Sequence, residues 1–342
     1  MKGKNNFLIL VMFLFILLSC TEESIIEVQQ QTGLTLQSKG NEMLKETIIA
    51  PDALPCGYKW EYVWELERYE TKPGKIVGIW PHNDRMQNST EIAKLKNKYG
   101  FNYILFADAY DLTKFNLVLS SGFARDKIIA QIFRHTYQQK ISQYGTIYAY
   151  YADETLYNNW RMSEIIEIRN YIKLNTTNSK YFIGDWHRCP EFTEMVSYSD
   201  GCFYTVYDDR NQIIDCIYIE GSDDQRESWT DMKNRYQQKS ISNWIGAHRD
   251  QSEYIRLLGH AYNLGLQMIW FYQLQDPYSD FTNIRNFCDA AWYSGWMRKF
   301  ERRYRFEYEC ILPNPCDCNV NEPSHWILVE KIPTYEIREV IR

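Results

Sequence analysis

From residue 75 onward the chain alternates short apolar runs with amphipathic segments, and it does so eight times. Residues 75–80 have the length and branched apolar content of a buried strand, and Ser89 can cap a helix through Tyr99 that Gly100 stops. A second strand over 101–106 leads to a helix over 113–121 and the stop Gly122. A third over 127–133 leads to a helix over 137–144 closed by Gly145. The fourth strand, within 147–155, is rich in tyrosine and ends on two adjacent carboxylates, Asp153 and Glu154, before a helix over 162–174. Strands at 180–185, 201–206, 241–247 and 266–272 follow. Between and after them come helices around 191–199, 253–264 and 283–303 and one long connection through 225–239. Eight strand–helix units in order predict the α/β class and a (β/α)8 TIM barrel over residues 51–303. A doubly wound open sheet is the rival, but no glycine-rich phosphate turn follows any strand, and the near-equal unit lengths favour closure.

The flanks read differently. Trp60, Tyr62, Trp64 and Leu66 alternate as a lead-in strand would. Residues 304–342 carry a Cys- and Pro-rich turn region and two strand-like stretches, 326–329 and 335–340, on either side of Pro333. They predict a small Cys-rich C-terminal β appendage. At the other end, Lys2 and Lys4 precede an apolar run over 7–18, the length of a signal h-region and short for a membrane span. The run closes in Leu17, Leu18, Ser19 and Cys20, which resembles the lipobox of bacterial lipoproteins. That resemblance implies removal of residues 1–19 as a signal peptide and lipidation of Cys20 as the membrane anchor. Thr21 after the cysteine implies sorting to the outer membrane, and Glu22 and Glu23 resemble the acidic surface-export signals of some outer-membrane lipoproteins. An ordinary secretory signal or a plain membrane anchor is the alternative. The polar stretch 20–50 reads as a tether from lipid to domain.

A formal net charge of −6 gives no basic footprint for nucleic acid. The aromatic content, 27 Tyr, 16 Phe and 11 Trp, can fill a core and also suits stacking on the apolar faces of sugars. Cysteines 56, 189, 202, 216, 288, 310, 316 and 318 remain after Cys20, and in an exported chain some should pair. The spacing of Cys310, Cys316 and Cys318 matches no common zinc motif, so disulfides are favoured, with the connectivity open.

Chemistry gathers at the predicted strand C-termini, where barrels of this class carry their sites. Strand one ends at His82, strand two at Asp108, and strand three at His135. Strand four ends at Asp153 and Glu154, and strand five at Trp186 and His187. Tyr207 and Asp208 follow strand six, His248 follows strand seven, and Trp270, Tyr272 and Asp276 belong to strand eight or its loop. Aspartates in such loops often cap helices instead, which is an even reading for Asp84, Asp209 and Asp250.

A glutamate at the end of strand four resembles the acid/base position of many barrel glycoside hydrolases. The common retaining type places a second glutamate at the end of strand seven. Here Ala247, His248, Arg249 and Asp250 stand there instead. The adjacent Asp153 and Glu154 resemble the β-N-acetylhexosaminidases of glycoside hydrolase families 20 and 123. In those families the substrate's own 2-acetamido group attacks the anomeric carbon. The resemblance implies Glu154 as general acid/base and Asp153 as the acetamide-orienting carboxylate. It also implies Tyr207 or Tyr272 as the acetamide-binding tyrosine, and Trp186 and Trp270 as sugar-stacking walls. A donor to a glycosidic oxygen must be protonated near neutral pH, which the Asp153 carboxylate and the Tyr150 and Tyr151 rings would favour at Glu154. This reading needs a glycan substrate, no cofactor and no metal. Three alternatives stay open. One is inverting hydrolysis with Asp108, Asp208 or Asp276 as base, and another is a divalent-metal hydrolase using His82, His135, His187, His248 and Asp276. The third is a surface glycan-binding lipoprotein without turnover.

Overall fold

A computed structural model describes residues 45–46, 54–81, 83–107, 111–153, 155, 158–185, 190–204, 230, 233–234, 239–242, 244–246, 249–273 and 281–342. Nearly all of them belong to one compact unit, residues 46–342. Two strands come first, the two-residue β1 (Lys45–Glu46) and the long β2 (Tyr58–Thr71). The alternating part then supplies β3 (Ile76–Trp80), β4 (Tyr103–Phe106), β5 (Ile128–Ile132), β6 (Ala149–Ala152), β7 (Lys180–Asp185) and β8 (Gly201–Tyr204). It ends with β9 (Ser240–Ser242), β10 (Trp244–Gly246) and β11 (Met268–Tyr272). These pair in parallel in the order β10-β11-β3-β4-β5-β6-β7-β8-β9. β9 and β10 are two halves of one chain segment. The first half pairs with β8 (Cys202 with Ile241) and the second with β11 (Ile245 with Phe271). The order therefore begins and ends in the same segment, which closes eight parallel strands into a (β/α)8 TIM barrel.

Parallel strands are covered on both faces, so their residues are apolar almost throughout. Outward positions such as Val77, Ile104, Ile128 and Ile183 are fully buried, as are Ile92, Phe115, Ile165 and Phe287 on the helices. Those helices are α1 (Ser89–Asn97), α2 (Leu112–Ser120), α3 (Tyr137–Tyr144), α4 (Met162–Asn175), α5 (Pro190–Ser197), α6 (Gln251–Asn263) and α7 (Phe281–Tyr293). Asn88, one residue before Ser89, caps α1, its side chain accepting from Thr90 N at 2.8 Å. Asp111 and Asp250 cap α2 and α6 in the same way. Gly100 ends the first turn-back at φ +71°, and a Cβ there would stand 2.6 Å from Tyr69 O.

The barrel interior is filled with rings. Register places Gly78 beside Trp270, Trp80 beside Tyr272, Gln131 beside Tyr151, and Gly184 beside Phe203, all on the inner face. Trp270 meets Phe203 edge-on at 5.6 Å, Phe203 meets Tyr151 at 4.9 Å, and Trp80 meets Tyr272 at 5.2 Å. Three glycines make the room. A Cβ on Gly78 would overlap the Trp270 ring, one on Gly184 would stand 2.7 Å from Tyr151 ring carbons, and one on Gly201 would stand 2.7 Å from Phe182.

A second sheet is antiparallel and contains β2, β12 (Met297–Cys310) and β13 (Trp326–Glu339), each 14 residues long, with β12 in the middle. Its rings are covered by cations from neighbouring strands. On one face Arg305 lies over Trp60, Arg303 over Tyr62 and Arg338 over Trp64, at 4.5, 4.2 and 4.1 Å. On the other, Lys331 lies 4.4 Å over Tyr304, and Arg302 holds Glu67 through two bonds of 2.8 and 2.9 Å. The sheet joins the barrel through Tyr69, whose hydroxyl donates to Asp289 Oδ1 at 2.7 Å, and through Thr71, whose hydroxyl donates to Gly100 O. At its far end disulfides join Cys56 to Cys316 and Cys310 to Cys318. Cys202 and Cys288 are buried thiols, and burial pushes Cys202 up to about 12.

Two expectations are corrected here. The helix expected over 283–303 ends at Tyr293, and a strand begins at Met297, so the 303/304 boundary falls inside β12. Gly295 at φ +89° breaks the helix, and the two-residue alternation that follows is captured by pairing with β2, 226 residues away in the Met297–Thr71 pair. Residues 326–339 form one strand rather than two. Pro333 is tolerated because β13 is an edge strand, with the irregularity taken up beside it where Thr334 Oγ1 donates to Arg303 O at 2.8 Å.

Replacing Gly78 by alanine forces the Trp270 ring to shift and should cost about 1–3 kcal/mol, read as a lower urea midpoint at unchanged slope. A second expectation concerns alkali. Burial holds the Tyr69, Tyr150, Tyr181 and Tyr254 phenols protonated in the folded chain above their ordinary value. Their contribution to stability is complete below an unfolded value of about 10 and is lost as pH rises above it, since only the unfolded chain then releases the protons. Denaturant midpoints should fall between about pH 10 and pH 12, and the tyrosinate absorbance of these groups should appear only with loss of helical ellipticity.

Candidate active site

The polar positions at the barrel mouth are set by strand parity. Asp153 follows β6 and shares the inward face with Ala149 and Tyr151. Its Oδ1 accepts from the Tyr151 hydroxyl at 2.5 Å, and its Oδ2 accepts from Gln131 Nε2 at 3.2 Å. Both donors are buried, Tyr151 completely, whereas Asp153 is only half-buried. The carboxylate therefore stands at the top of the ring-packed interior, where the barrel strand ends. Just beyond it the chain is pinned to the next strand, because Thr155 N donates to Gly184 O at 3.1 Å. Two donors aimed at its two oxygens match a carboxylate.

The opposite side of the mouth is a clamp. Trp80, at the end of β3, is 3% exposed, and its carbonyl accepts from Gln273 N at 2.9 Å. Arg85 is buried behind it, donating through Nε to Gln273 Oε1 at 3.3 Å and through Nη1 to Glu91 at 2.9 Å. Its guanidinium also stacks 3.7 Å over Phe281. One side chain thus joins the loop after β3, the end of β11 and helices α1 and α7.

Of the residues singled out from sequence, Asp153, His135, Trp270 and Tyr272 lie among those described. Cys20, His82, Asp108, Glu154, Trp186, His187, Tyr207, Asp208, His248 and Asp276 lie outside them. Tyr272 is half-buried at the rim with its ring edge-on to Trp80. His135 is exposed and lies parallel to the Phe133 ring at 5.9 Å. Trp270 is corrected: it has no exposed surface and packs over Gly78 and against Phe203, so it fills the barrel and cannot form a sugar wall. Tyr150 faces outward, its hydroxyl donating to Gly145 O at 2.6 Å, and so takes no part in the mouth. Asp250 accepts from Glu253 N at 2.8 Å as the cap of α6. Gln131, Trp80 and Arg85 are not among the residues singled out from sequence. Only Gln131 left a trace, as the one polar residue in the apolar run of β5.

No family model matches the chain, and no curated protein matches it. Among solved structures, it is similar to a glycosyl hydrolase family 2 member from Bacteroides cellulosilyticus DSM 14838 over 80% of this chain and 48% of that one, at 8% identity and TM-score 0.42. It is similar to a sugar phosphate isomerase/epimerase from Parabacteroides distasonis ATCC 8503 over 66% and 97%, at 10% identity and TM-score 0.43. A psychrophilic glycoside hydrolase family 10 endo-beta-1,4-xylanase is similar over 58% and 86%, at 11% identity and TM-score 0.42. The chain spans 33% and 48% of the length of two family 2 structures it matches. Hydrolases and an isomerase stand at equal similarity, so the likeness selects no reaction, and the barrel rests on its own strand order.

Arg85→Met should lower stability by about 2–3 kcal/mol, below the figure for a fully buried pair because Glu91 is a third exposed. Urea melts of the single variant check it.

Proposed function

We propose that this chain is a lipid-anchored glycoside hydrolase whose site lies at the mouth around Asp153. The observation that carries the reading is a half-buried carboxylate at the C-terminal end of the fourth barrel strand, held through both oxygens by buried donors. Such a group is suited to orienting a substrate N–H and to stabilising positive charge that develops beside it. The next residue, Glu154, is the proton donor in this proposal, and a glycan carrying a 2-acetamido group supplies its own nucleophile. The capping role of Asp250 supports this choice, since that carboxylate after strand seven is engaged with α6. Tyr272, at the rim beside Trp80, is the described candidate for the acetamide oxygen. The lipid on Cys20 anchors the enzyme at the outer membrane in this proposal, facing glycans of the envelope or the cell exterior. This part of the proposal rests on the resemblance at residues 17–20.

The test is Glu154→Gln assayed on a panel of activated aryl glycosides that includes 2-acetamido sugars. The variant should lose about 100-fold or more in kcat/KM while still binding the sugar. Undiminished turnover would remove Glu154 from the mechanism. Loss of wild-type activity on chelation would point to the metal hydrolase, and a wild type that binds glycans without turnover would point to a binding protein.

A further inference from the structure

We propose that Tyr151 is a positioning residue for Asp153, and that Gly184 on the neighbouring strand is the opening that lets its hydroxyl get there. The inference rests on the hydrolase reading above for its consequence, and on geometry for its substance.

The Tyr151 ring is wholly inside the barrel, between Phe203 at 4.9 Å and Trp80 at 6.5 Å, both edge-on. A phenylalanine would pack there equally well. What tyrosine adds is one hydroxyl, and that hydroxyl donates to Asp153 Oδ1. The fit requires an empty position opposite. Gly184 faces inward on β7, and a Cβ there would overlap the Tyr151 hydroxyl and approach two ring carbons at 2.7 Å. Glycine inside a strand marks such a close approach. On the other flank Gln131 breaks the apolar run of β5 to reach Oδ2.

Two donors from two strands set both the position and the plane of the carboxylate, and their burial locks the donors in turn. A carboxylate that must meet a bound acetamide N–H needs this kind of fixed support. Tyr151 therefore acts through Asp153 and touches no substrate itself.

The experiment uses the full-length protein carrying aspartate labelled with carbon-13 at the side-chain carboxyl. The Asp153 signal is identified as the one lost in Asp153→Asn. In Tyr151→Phe that signal should move while other aspartate signals stay. The kcat on the best glycoside of the panel should fall about 10–100-fold with KM unchanged, the signature of an interaction made in the transition state. Gly184→Ala should reproduce both effects, because its Cβ would displace the hydroxyl from Asp153. An Asp153 signal unmoved in Tyr151→Phe overturns the proposal, as does a moved signal with unchanged kcat. Should the wild type hydrolyse no glycoside, the hydrolase reading falls, and the carbon signal alone decides whether Tyr151 positions Asp153.

Discussion

The interior of this barrel is a stack of aromatic rings, and the fold depends on three inward glycines that make way for them. Trp270, Tyr151 and Phe182 each lie where a neighbouring strand offers Gly78, Gly184 or Gly201 in place of a side chain. Large rings lie against absent side chains, and edge-to-face contacts fix their orientation. Such a core is intolerant of added volume. It also fixes the strands in register, because a one-residue slip would put every ring on the helix face.

The candidate site grows out of the top of that stack. Tyr151 is at once a core residue and the donor to Asp153, so the packing that stabilises the barrel also aims the carboxylate. On the far side, Trp80 and Arg85 tie the rim together through Gln273 and Glu91. The mouth is therefore supported from within the barrel rather than by loops alone.

The antiparallel sheet solves a different problem. Its β13 residues are mostly exposed, the apolar Ile327, Leu328, Val329, Tyr335 and Ile337 among them. Guanidinium and ammonium groups lying on the rings, together with ion pairs such as Arg302 with Glu67, supply the cover that a second layer would. The disulfides at the far end and the Tyr69–Asp289 contact at the near end hold it along its length.

The residue order alone determined the number and order of the barrel strands and the place of Asp153 at the close of the fourth strand. These follow from local periodicity and from stops such as Gly100 and Gly145, which act within a few residues. Tertiary structure decided what periodicity cannot carry. The charged run 297–303 reads as a helix surface in isolation, yet it becomes a strand because β2 lies ready to pair with it from the other end of the chain. Trp270 reads as a sugar platform by its position in the strand, yet Gly78 on the adjacent strand draws it into the core. Gln131 is an unremarked polar residue until Tyr151 and Asp153 come alongside. In each case the deciding partner is remote in sequence, and side-chain volume and hydrogen-bond geometry across strands, not local preference, set the outcome.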